Sequence, residues 1–347
     1  MTRMTLVADS VQLDLQLSSE DAHLEVCKAL RLSNDASSSF QLRPHLVDIT
    51  SLGVPRINVL LELCTPQASS KYMYFVSVRM SSCVEFRSFF LQFVRAVSLQ
   101  MNSISPAGLH LLQRPLSKLT NLRALALSLN SLDFFVDASA CACLSLVLSN
   151  LPHLRRLDLG GNRTKNMLDR ILSPLAQGLE FLGLSGCTVT EDDLQFLQRS
   201  PHASTLCELD LSDNLLHPPR FHQLLALLSC VTPSLRVLEL EHCHIEPLSL
   251  ASLCALLPTM SRLQYLNLKH NELSTGLTHA VVKSLTDVDD FRMLKMHLPD
   301  DVVVTEDLED DVEQLCAAFR VALQLHVRKL CGEKQREPFS VWVFARV

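Results

Sequence analysis

Aromatic residues are scarce in this chain of 347 residues: 15 Phe, 3 Tyr and 1 Trp make up only 5% of it. Because hydrophobic residues reach 48%, the core must be aliphatic. Glycine is also thin, at 9 residues, and neither GxGxxG nor the GxxxxGK[ST] phosphate loop occurs. GxSxG and HExxH are missing too. A nucleophile needs a positioned base beside it, and no sequence pattern supplies one, so the expectation is a non-enzyme without a cofactor.

Long apolar runs are absent as well. The longest, Cys141 to Leu148 and Leu224 to Val231, fall far short of the roughly 18 residues needed to cross a bilayer. The opening MTRMTLVADSVQLDLQL mixes in acids where a secretory signal is continuously apolar, which predicts an intracellular protein. A net charge of -6 supplies no basic field, arguing against nucleic acid or an anionic membrane as the general partner. The 12 cysteines form no CxxC pair, and Cys141 and Cys143 are too close for ordinary bridging. They read as free, buried thiols with no zinc-ligand spacing.

What the chain has instead is leucine at regular intervals. LxxLxLxxN or a close variant occurs at Leu122-Leu125-Leu127-Asn130, Leu154-Leu157-Leu159-Asn162 and Leu179-Leu182-Leu184-Cys187. It returns at Leu206-Leu209-Leu211-Asn214, Leu235-Leu238-Leu240-Cys243 and Leu263-Leu266-Leu268-Asn271. Degenerate copies start at Met73, Val94 and Phe291, and successive starts lie 21 to 32 residues apart, leaving room for a helix in most units. Each LxL alternates as a strand does, with leucines inward and the residues between them outward. The Asn or Cys that follows is placed to satisfy backbone groups of adjacent turns. This mixture of Asn and Cys resembles the ribonuclease-inhibitor type of repeat. Helical faces are expected at Leu277, Val281 and Leu285 and at Leu224, Leu225, Leu227 and Leu228, with Pro218-Pro219 in a connection between units.

These signals predict an α/β leucine-rich repeat solenoid, a horseshoe with parallel concave strands, convex helices and a C-terminal helical cap. Residues 1–70 read as divergent repeats, with strands at Val11 to Leu17 and around Phe40 and Leu42 and helices at Asp21 to Leu30 and Pro55 to Cys64. The regular array spans 71–297 and the cap 298–347. Only about ten residues precede the first expected strand, too few for a polar cap over its open edge, so sequence is expected to be missing there. The cap helix, beginning near Glu306, places Val312, Leu315, Phe319, Leu323 and Leu330 on one face, and Phe339 to Val347 reads as a closing strand.

At QFLQRSPHASTLCELDLSDNLL, Gln195 to Leu216, the match exceeds a generic repeat: RSPH leading into LxxLDLSxN resembles the PRAME (preferentially expressed antigen in melanoma) family. That resemblance implies a cytoplasmic or nuclear adaptor, the substrate-recognition subunit of a cullin-2 RING ubiquitin ligase joined through elongin. It also implies an alternative, a non-ligase scaffold that binds the IKK kinase complex and restrains NF-kappaB signalling. The family's N-terminal ligase-binding boxes have no counterpart here. The nearest imitation, Leu60, Cys64 and Ala68, contains Pro66, which breaks a helix.

The middle residues of the LxL segments are Ser98, Ala126, Asp158, Gly183, Asp210, Glu239, Asn267 and Lys295. Glu208 and Glu241 flank them, and Arg156, Lys269 and Lys295 supply the opposite sign. Asp158, Glu208, Asp210, Glu239 and Glu241 are therefore the candidate site for a protein partner with a basic segment, although an exposed strand face carries solvated charges in any case. Glu241-His242-Cys243-His244 invites a metal reading, but Cys243 occupies the inward ladder position while its neighbours point elsewhere.

Overall fold

A computed structural model of the chain describes four early strands by their backbone and then residues 95–101, 104–302 and 312–345. The chain divides into two compact units, Met1–Leu179 and Glu180–Val347. From Ala96 onward the described residues of each unit are short parallel strands alternating with helices, the leucine-rich repeat architecture. The expected helices before residue 77, and the Leu60, Cys64 and Ala68 segment, lie outside the described residues.

In the N-terminal unit β1 (Arg3–Val7) pairs antiparallel with β2 (Ser10–Leu17), a partner that the sequence did not lead us to expect. Parallel pairing then continues through β3 (Leu42–Ile49), β4 (Ser77–Met80), β5 (Ala96–Ser98), β6 (Ala124–Ala126) and β7 (Arg156–Asp158). The helices are α1 (Pro106–Leu116), α2 (Ala138–Ser149) and α3 (Leu168–Leu172).

The C-terminal unit holds β8 (Phe181–Gly183), β9 (Glu208–Asp210), β10 (Val237–Glu239), β11 (Tyr265–Asn267), β12 (Met293–His297) and β13 (Ser340–Phe344), all parallel. Its helices are α4 (Glu191–Arg199), α5 (Pro218–Val231), α6 (Pro247–Leu256), α7 (Thr275–Leu285) and α8 (Val312–Glu333).

Period two puts every central leucine on the helix side of its sheet. Leu209, Leu238, Leu266 and Leu294 are register partners across β9 to β12, and none is more than 1% exposed. The ladder residues close the turns as expected. Asn214 Nδ2 donates to the carbonyls of Leu184 and Leu211, both at 2.8 Å, while its Oδ1 accepts from the Val189 amide at 2.9 Å. Asn130 and Asn162 repeat the arrangement in the N-terminal unit. Where cysteine replaces asparagine, as at Cys243, the thiol donates to the Leu211 carbonyl at 3.2 Å.

The residue before each ladder position is left-handed: Leu129, Gly161, Gly186, Asp213, His242 and His270 have φ between 53° and 69°. Glycine, and to a lesser degree Asp and His, tolerates this region, whereas Leu129 sits there at a cost of about 1 kcal/mol. Leu129 in turn lies over Gly161, where an added Cβ would come within 2.6 Å of the Leu129 side chain.

Helix starts follow capping chemistry. Thr190 and Asp193 form a reciprocal capping box on α4, Asp137 accepts from the Ser139 and Ala140 amides, and Ser274 accepts from the Leu277 amide. Pro218 and Pro219, expected in a connection, instead open α5, where proline's missing N–H is no loss. The cap helix α8 buries Cys316, Leu323, Val327 and Cys331, while Leu315, Phe319 and Leu330 are only half-buried. Leu323 is thus buried as expected, but Cys316, Val327 and Cys331 complete the packed stripe in place of the other expected residues.

Candidate functional site

The five acidic candidates fall in two places. Asp158 ends β7 in the N-terminal unit, where one carboxylate oxygen accepts from Gln100 Nε2 at 3.1 Å and Ser128 Oγ at 2.9 Å, and the other from the Gly160 amide at 3.0 Å. The other four lie together in the C-terminal unit, on the sheet face away from the helices. Glu208 and Asp210 are on β9, Glu239 ends β10, and Glu241 follows two residues later.

Strand register decides which of these side chains meet. Asp210, Glu239, Asn267, Lys295 and Trp342 are successive partners across β9 to β13, with strands about 4.8 Å apart. Asp210 therefore stands directly beside Glu239, a like-charge pairing that works against folding. Asp210 Oδ1 accepts from the Ser212 amide at 2.9 Å. Burial pushes the Glu239 carboxyl above its ordinary range, helped by the Asp210 charge and opposed by its hydrogen bond from Asn267.

Asn267, expected on the open wall, is instead 3% exposed. Its Nδ2 donates to Glu239 Oε2 at 2.7 Å and to Glu241 Oε2 at 2.9 Å, tying the two carboxylates together. The Tyr265 hydroxyl also reaches Glu239, at 3.5 Å. On Glu241 burial acts to raise the pKa, but the hydrogen bonds from Lys269 and Asn267 and the charges of Lys269 and His270 prevail and hold it below the usual value. Lys269 Nζ is 2.5 Å from Glu241 Oε1.

The face changes sign along the row. Lys295 Nζ lies 5.2 Å from the Tyr265 ring centroid, and Lys269 Nζ lies 5.2 Å from that of Phe344. Acid dominates at β9 and β10; cations and aromatic rings dominate at β12 and β13. Leucine spacing draws attention away from Tyr265 and Trp342, because both occupy outward positions of their strands.

At Glu241-His242-Cys243-His244 the alternation scatters the side chains. Cys243 faces the core, and burial pushes its thiol up to about 12. His242 Nδ1 meets Asp213 Oδ1 at 2.9 Å, and the His242 and His244 rings lie 5.0 Å apart on the exposed side. Among the described residues no group of His, Cys, Asp and Glu is arranged to hold a metal ion. No described helix is long and apolar enough to cross a membrane.

The PRAME C-terminal domain model matches residues 86–334. Leucine-rich repeat-containing protein 14 from Xenopus laevis is 30% identical over 209 residues, covering 59% of this chain and 40% of its own length. The protein of the same name from Rattus norvegicus is 41% identical over 124 residues, covering 35% of this chain and 24% of its own. Ribonuclease inhibitor from Sus scrofa is 30% identical over 188 residues, covering 51% and 40% respectively. The matches thus span less than half the length of these curated relatives. With the matched family domain covering well over half of its residues, the chain belongs to the PRAME family.

Proposed function

We propose that this protein is a non-catalytic adaptor that holds a basic segment of another protein against the acidic strands of its C-terminal unit. The observation that carries this reading is the side-by-side placement of Asp210 and Glu239 on a half-buried face. Two carboxylates side by side repel, and a partner's Lys or Arg lodged between them relieves that repulsion. Glu208 adds charge at the start of β9. Glu241, already paired with Lys269, shapes the edge of the site more than it captures cations.

Membership of the PRAME family supports a finer reading: the chain is a substrate-recognition subunit of a cullin-2 RING ubiquitin ligase, and its ligand is the protein to be modified. Affinity capture from cells followed by mass spectrometry tests this. Recovery of elongin and cullin-2 peptides is the expected result. Recovery of IKK kinase-complex peptides without them assigns the inhibitory scaffold role instead. Capture of neither sinks both readings and leaves the adaptor role to be tested by the basic-segment measurement alone.

A further inference from the structure

The outward row that begins in acid ends at Trp342, the one tryptophan in the chain and 45% exposed. Lys295 is its register partner on β12. From α8, Arg320 holds its guanidinium carbon 5.8 Å from the Trp342 ring centroid, and among the described residues no carboxylate pairs with it. One helical turn apart on the same helix, Val321 and Leu325 are 57% and 58% exposed.

Between helix and strand is a cavity of about 250 Å³, lined by Arg320, Val321, Gln324, Ser340, Val341 and Trp342. Its walls are fixed by one amide side chain. Gln324 Nε2 donates to the Phe339 carbonyl at 2.7 Å, and its Oε1 accepts from the Val341 amide at 3.1 Å, so the glutamine treats β13 as a neighbouring strand would. A cleft set in place before binding loses little entropy when a ligand enters.

A single exposed leucine or tryptophan is ordinary on a protein surface. Here an indole face, the exposed Val321 side chain and a guanidinium with no carboxylate partner among the described residues line one cavity, and Lys295 is the register neighbour of Trp342 on the adjoining strand. Trp and Arg are also the residue types that dominate binding energy at protein interfaces. We propose that the cleft between α8 and β13 binds a short segment of a partner protein in which an aliphatic or aromatic side chain is flanked by carboxylates. The apolar side chain fills the cavity against Val321 and the Trp342 ring, and the carboxylates meet Arg320 and Lys295. The cavity lining includes none of the acidic residues and selects the opposite charge; Lys295 alone acts on both, through its charge on Glu239, so the Arg320 and Val321 variants test this site by itself.

Because Trp342 is the only tryptophan, its fluorescence reports on the cleft directly. The full chain is titrated with the peptide DDLFDD, with KKLFKK as the charge-reversed probe, to about 1 mM, the weak end of useful affinities. The expected result is a saturable change in Trp342 emission with DDLFDD only. Arg320→Ala weakens it about tenfold, and Arg320→Glu shifts the preference to KKLFKK. Val321→Asp, at an exposed position, abolishes the response while the circular dichroism spectrum stays that of the parent. No saturable change with DDLFDD, equal responses to both peptides, or binding unaltered in the Arg320 variants overturns the proposal.

Discussion

Asn267 donates to Glu239 across 2.7 Å from a position that is almost completely buried, and the second hydrogen of the same amide goes to Glu241 at 2.9 Å. One neutral side chain therefore organises the acidic end of the sheet. Its Oδ1 also accepts from the Lys269 amide at 3.1 Å, so the whole amide is used. Replacing Asn267 with Ala leaves two carboxylates without their shared donor, and about 2 kcal/mol of stability is expected to be lost at neutral pH. Urea denaturation at neutral pH measures it; a loss within error of zero shows that the amide is not an organiser.

The two carboxylates respond to pH in opposite senses. The folded-state pKa of Glu239 is raised by burial, so its ionised form is disfavoured in the fold. Its contribution is present below the ordinary value of 4.5 and lost as pH rises through the raised one. Glu241 is lowered, so its contribution is present above 4.5 and lost as pH falls through the lowered value. Glu239→Gln is accordingly expected to stabilise the protein at neutral pH, and Glu241→Gln to destabilise it there, with both differences shrinking in acid. Thermal melts of the two variants across this range check the signs, and a shared sign contradicts the assignment.

Ladder asparagines offer a harsher test. Asn214→Ala removes two donations and one acceptance from a residue 1% exposed, and a loss of about 3 kcal/mol is expected. Gly161→Ala is milder: with φ at +69° the alanine is strained by about 1 kcal/mol, the Leu129 side chain can swing away, and the Leu129 backbone at 3.3 Å must give by a few tenths of an ångström. Equal losses in the two variants would falsify the view that ladder bonding outweighs backbone strain.

Thiol chemistry separates surface from core. Cys230 is exposed, whereas burial raises Cys143 to about 11 and Cys243 to about 12. A maleimide reagent at neutral pH is expected to label Cys230 rapidly and to leave Cys143 and Cys243 unlabelled until the chain unfolds. Peptide mapping of the labelled protein reads the order, and early labelling of Cys243 would show that the ladder position opens in the native state.

Repeat spacing made the fold legible, because buried positions must recur for neighbouring turns to stack: Leu209, Leu238 and Leu266 are register partners as the pattern requires. The outward positions carry no such constraint. Alternation placed Asn267 on the same side as Glu239, yet nothing in the repeat shows that its amide is buried by the two carboxylates it ties. Pro218 read as a breaker because proline stops one helix and starts another with equal ease. In α8 the leucine spacing locates Leu323, but Phe319 outweighs Cys316 in hydrophobicity while packing buries the smaller side chain. Arg320 and Trp342, 22 positions apart, are brought together only by the antiparallel run of α8 against β13, which no local pattern reveals.

The most direct test of the adaptor account is the affinity of the full chain for a peptide of alternating Lys and Arg, measured by titration calorimetry at two salt concentrations. The account predicts binding that weakens as salt rises and falls about tenfold when Glu208→Gln and Asp210→Asn are combined, since both substitutions keep side-chain size. Binding unchanged in that double variant, or absent from the parent protein at low salt, would contradict it.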